Sequence, residues 1–119
     1  MTLVPGPAIL GRVMLAFSGR SLPDGPLRAY TPRTITDPKE LAVEIARARE
    51  QGWAQAIEER EPGLSAIAAP VRSSRGDLEA IAALQGPSSR FDASAIEAAL
   101  PYLLETAAAI SRELGWRAD

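Results

Sequence analysis

Residues 53–85 read WAQAIEEREPGLSAIAAPVRSSRGDLEAIAALQ, and the way this run divides decides the fold. Glu61, Pro62 and Gly63 form a tight-turn signal, and Ser73-Ser74-Arg75-Gly76-Asp77 forms a second, polar break. Three segments remain: Trp53 to Glu59, Leu64 to Arg72, and Leu78 to Gln85. The second and third are rich in alanine, which propensity alone would allow to be helical. Gly63, Pro70, Gly76 and Gly86 punctuate them too closely for helices, so all three read as strands. Connections this short cannot cross over a sheet, and the strands must run as an antiparallel meander.

Helices flank the meander on both sides. Upstream, Asp37-Pro38-Lys39-Glu40 is a helix start in which Asp37 caps, Pro38 takes the first helical position and Glu40 completes a capping box. Leu41, Ile45 and Ala48 then form an apolar stripe, and Gly52 ends the helix. Further upstream, Pro7 to Phe17 (PAILGRVMLAF) has helical apolar spacing in the series Ile9-Val13-Ala16 and Leu10-Met14-Phe17. Ser18 to Thr36 reads as loop. Downstream, Asp92 caps a last helix that ends at Gly115, and Pro101 inside it removes one hydrogen bond and bends it. The expected class is α+β, an antiparallel sheet flanked by helices in the order α-α-β-β-β-α.

At 119 residues the chain supports one domain, taken as residues 1–119. Aromatics make up only 5% of it, so the core must be mostly aliphatic and thin, and oligomerisation is the expected source of further burial. A net charge of −2 with scattered arginines carries no nucleic-acid signal, and the Arg72 and Arg75 pair reads as solvated loop. Having neither cysteine nor histidine, the chain lacks disulfides, thiolate nucleophiles, Cys/His metal sites and imidazole-based triads. The apolar N-terminus is broken by Pro5, Gly6, Pro7 and Arg12, so it is read neither as an export signal nor as a membrane span; the cytoplasm is the expected compartment.

Five motifs in order along the chain resemble the C-terminal effector-binding domain of IclR-type bacterial transcriptional regulators. They are Leu10-Gly11-Arg12-Val13-Met14-Leu15-Ala16-Phe17, Tyr30-Thr31-Pro32-Arg33-Thr34-Ile35-Thr36-Asp37, and Gly52-Trp53-Ala54 followed by Glu58-Glu59. Glu61-Pro62-Gly63-Leu64 with Ile67-Ala68-Ala69-Pro70-Val71 is the fourth, and Gly86-Pro87-Ser88-Ser89-Arg90-Phe91 the fifth. The resemblance implies a GAF- or profilin-like sheet with helices, entered part-way: the winged helix and the first strands of the family's pattern have no counterpart before Pro7. It implies a small-molecule effector-sensing regulatory domain, without enzymatic activity, cofactor or metal, and without DNA binding by this chain.

In that family small polar effectors sit between the first helix here and the concave face of the sheet. The positions matching the family's polar contacts are Ala56 or Ile57, Ala66, Ala83 and Gln85; Ile9 and Leu10 stand where smaller residues are usual, and Gly6 where a His is usual. Only Gln85 is polar, so small carboxylates would lose their hydrogen-bond partners. An effector here should be apolar or aromatic, with one group for Gln85. The same set (Ile9, Leu10, Ala56, Ile57, Ala66, Ala83, Gln85) equally fits ordinary core filling a disused site, and a ligand-free oligomerisation module is the second functional expectation. Elsewhere, Glu58, Glu59 and Glu61 could form a hard-metal or acid–base site, but a solvated strand end is the favoured reading. Ser88, Ser89 and Arg90 read as turn and cap rather than as an anion site. Arg12 reads as a helix-surface charge, and Trp53 as packing between sheet and helix.

Overall fold

The computed structural model describes residues 9–18, 35–59 and 62–117, and the loop expected over most of 18–36 lies outside them. The elements are α1 (Ile9–Phe17), α2 (Pro38–Gln51), β1 (Ala54–Ile57), β2 (Leu64–Arg72), β3 (Leu78–Pro87) and α3 (Ala93–Glu113). This is the expected order. The three strands form one antiparallel sheet with β2 in the middle. β1 is shorter than the segment Trp53 to Glu59, because Glu58 takes a positive φ of 54° and turns the chain out of the ladder. β3 runs two residues further than expected, pairing Gly86 and Pro87 with Ser65 and Leu64.

Helix ends follow their chemistry. The Asp37 carboxylate accepts from Lys39 N at 3.0 Å, while the Glu40 half of the capping box is not made among the described residues. Gly52, at φ 89°, closes α2 by donating to the Ala48 carbonyl, a left-handed stop that suits glycine. The Asp92 carboxylate caps α3 through Ala95 N. At its far end Gly115 N bonds Arg112 O and Trp116 N bonds Ser111 O, the paired bonds of a Schellman stop. α3 has the length and apolarity to cross a bilayer, but much of that apolarity is alanine. It lies on the sheet, burying Ile96, Leu103 and Ala107.

Strand alternation divides the core into two layers. On one face Ala54 and Ala68 pack with Val13, Leu15 and Ala16 of α1 and with Leu41, Ile45 and Ala48 of α2. On the other, Ile67, Ala69 and Val71 of β2 pack under α3. Arg49 of α2 reaches the exposed carbonyls at the end of α1, donating to Ala16 O at 2.9 Å and Leu15 O at 3.4 Å. Arg72 is no solvated loop charge. It ends β2 half-buried, with its guanidinium 5.4 Å from the Phe17 ring and 5.9 Å from the Trp116 ring.

Candidate functional site

Register places the expected pocket residues. Two rows of side chains cross all three strands on the face beneath α1: Ala54–Ala68–Ala83, and Ala56–Ala66–Gln85. The first two members of each row are buried, while Ala83 and Gln85, on β3, are exposed. The result is a floor of methyl groups that opens toward β3 and carries one amide at its open end. Ile9, half-buried against the same core layer, stands at the N-terminal end of α1 above it. Of the alternatives at one position, Ala56 belongs to this floor. Ile57 points to the opposite face and packs in the α3 layer beside Trp53. The Leu10 side chain and Gly6 lie outside the described residues.

Two expectations from sequence are corrected here. Arg12 is not a helix-surface charge: it is 1% exposed. Its Nη1 donates to the Gln55 carbonyl and, at 3.0 Å, to Glu59 Oε2, while Nη2 donates to Glu59 Oε1. Glu59 in turn is no solvated strand end but a buried partner, bridging 47 residues of sequence. Burial raises its pKa above the ordinary carboxylate value, with the Arg12 guanidinium pulling the other way. Arg12 thus bolts α1 onto β1 at the edge of the alanine floor. The neighbouring Glu58 carboxylate accepts from Gly63 N at 2.9 Å and braces the hairpin turn. Among the described residues no three carboxylates gather as metal ligands.

The Ser88–Arg90 segment forms a turn, with Arg90 N and Phe91 N both bonded to Pro87 O. Trp53 packs against the side of the α3 layer, half-buried at its margin rather than enclosed between sheet and helix. A sequence signal for Arg12 did exist. α1 is apolar all around its circumference, which marks a buried helix, and a lone charge in such a helix needs a partner.

This architecture matches that of known regulators. A family model described as bacterial transcriptional regulator IclR C-terminal matches residues 9–112. The chain belongs to the IclR C-terminal family. It is 31% identical over 115 residues to the HTH-type transcriptional regulator BhcR of Paracoccus denitrificans, covering 92% of this chain and 41% of that protein. The crystal structure of Thermotoga maritima IclR superposes with a TM-score of 0.80 at 30% identity, over 92% of this chain and 47% of that one. The PobR inducer-binding domain from Acinetobacter, a double mutant in complex with 3-hydroxybenzoic acid, superposes with a TM-score of 0.68 at 29% identity, over 71% and 49% of the two chains. The chain therefore spans less than half the length of these relatives. Their names are those of regulators.

Proposed function

We propose that this IclR-family chain acts as a single effector-sensing regulatory domain of a cytoplasmic bacterial regulator, without enzymatic activity, and without binding DNA through the residues present. The alanine floor beneath α1, ending in Gln85, is the observation that carries the reading. Its effector is an apolar or aromatic molecule with one hydrogen-bonding group, lying over Ala56 and Ala66 and engaging Gln85. Ile9 closes the site from the helix side, and Ala83 borders its open end. The complex of PobR with a hydroxybenzoic acid supports an aromatic ligand class in the family. The methyl floor favours a body less polar than a small dicarboxylate, because the Ala56, Ala66 and Ala83 methyl groups leave the Gln85 amide as the single donor in its two rows, too few partners for a buried charge.

Thermal unfolding in the presence of aromatic compounds tests this. Neutral phenols should raise Tm, Ala66→Leu should abolish the shift by filling the floor, and Gln85→Leu should reduce it. Equal shifts in all three proteins would sink the proposal. A second reading, a ligand-free oligomerisation module, is favoured by one specific observation: among the described residues β3, the longest strand, lies at an edge of the sheet with one side unpaired.

A further inference from the structure

The helix α3 packs on β2 and β3 but does not reach β1. On that face the residues Trp53, Gln55 and Ile57 are left beside the helix rather than beneath it, and a groove of about 500 Å³ opens between them and α3. It lies on the opposite side of the sheet from the alanine floor. Its walls are Trp53, Ile57, Phe91, Ile96 and Leu100. Two of the six aromatic residues in the whole chain are thus spent on one small groove.

Among the described residues the charged groups lining it are all carboxylates, beside Gln55, Ser65 and Ser88, which can both donate and accept. Glu58, Asp92 and Glu97 bring three carboxylates, and among the described residues no lysine or arginine lines it. Asp92 and Glu58 are engaged by backbone N–H groups, whereas Glu97 has no hydrogen-bond or ion-pair partner among the described residues. The Glu97 carbonyl is also unusual. Its helical donor would be the N–H of residue 101, and Pro101 has none. At the base, the hydroxyls of Ser65 and Ser88 lie 2.7 Å apart, and Ser65 is 1% exposed. One hydroxyl donates to the other, which leaves lone pairs on both oxygens and one O–H for a partner from outside.

We propose that this groove is a second ligand site, selective for an organic cation: an ammonium or guanidinium group on an aromatic or aliphatic body. The apolar body lies against Trp53, Phe91 and Leu100, where ring faces also attract the cation. The charged head is drawn to Glu97 and the acceptors around it. A carboxylate of the same shape is rejected, since it would meet like charge and few donors.

The test uses 2-phenylethylamine, 3-phenylpropionate and 2-phenylethanol as probes of matched shape, titrated into the intact chain by calorimetry and by amide chemical-shift mapping. The amine should bind about tenfold or more tightly than the acid, a difference of about 1.4 kcal/mol, with the alcohol between them. Shifts should centre on Trp53, Ile57, Phe91 and Ile96. Glu97→Gln should erase most of the preference for amine over acid, and Trp53→Leu should weaken all three probes. Ala66→Leu, which fills the floor on the other face, should leave amine binding unchanged, so failure of the effector reading and failure of this one are separable. Equal binding of amine and acid overturns the proposal. So does no binding of the amine, a preference retained in Glu97→Gln, or occupation of the groove by a second copy of the chain.

Discussion

The Arg12–Glu59 pair makes a prediction that ordinary surface ion pairs do not. Both side chains are almost fully buried, at 2% and 9% exposure. Removing one partner therefore strands a charge in the core, which costs about 3–5 kcal/mol. Arg12→Met should lower the unfolding free energy by that order in urea titrations. Arg12→Met combined with Glu59→Leu should recover most of the loss, because a buried pair exchanged for apolar residues is often neutral. A double variant no better than the single one would mean that the pair contributes more than mutual neutralisation. The same pair was the least legible feature of the sequence. An arginine in a helix is usually solvated, and nothing local couples residue 12 to residue 59. Only the apolar surroundings of Arg12 hinted at burial, while the partner is set by how β1 docks on α1. Glu59 also dictates a pH dependence. Its folded pKa is raised from the ordinary 4.5, so the native state holds that proton more tightly than the unfolded chain does. The resulting stabilisation is full below pH 4.5 and is lost as pH rises through the folded value. Relative to Glu59→Gln, the unmodified chain should lose stability across that window. The opposite slope would reverse the assignment.

Elements were more legible than single residues because their ends are written in local chemistry. Asp37 and Asp92 cap the helices expected of them, and Gly52 and Gly115 end them. The hairpins are set by the turn at Pro62 and Gly63 and by the Gly76 loop, which leave too little chain for any crossover. What sequence missed is where elements meet. Gly115 does more than end α3: a Cβ there would lie 3.2 Å from Ser74 Cβ, so helix and hairpin loop are in close contact. Gly52 has a similar φ, but a Cβ there would meet nothing within 4 Å. Gly52→Ala should therefore cost only the backbone strain, about 1–2 kcal/mol. Gly115→Ala should cost about 1 kcal/mol more through overpacking against the loop. Equal losses in thermal melts would show that the loop yields freely. The candidate site divides in the same way. Alternation along β1 and β2 makes Ala56 and Ala66 readable as one face, whereas choosing between Ala56 and Ile57 needed the register with β2.

For the molecule as a whole, the question is what meets the outer side of β3. Its ten residues carry a single charge, Glu79, with Ala80, Ala83, Leu84 and Gln85 exposed. Natural edge strands are usually guarded by lysines, bulges or covering loops. Among the described residues the only such feature is the register shift at Val71 and Arg72, near one end. An antiparallel pairing of β3 with β3 of a second copy about a two-fold axis would join two three-stranded sheets into one of six. A pairing centred on Ala82 would set Glu79 opposite Gln85 rather than opposite a like charge. The chain should therefore sediment as a dimer. Leu84→Lys, at a site already 41% exposed, should shift it toward monomer by about tenfold or more in dissociation constant, because a lysine at an edge opposes strand addition. Its thermal stability at high dilution should be unchanged, since the residue supports little of the monomer's core. A monomeric wild-type chain at high concentration, or a Leu84→Lys variant that dimerises equally well, would exclude this edge as the interface and leave β3 free for a strand from elsewhere.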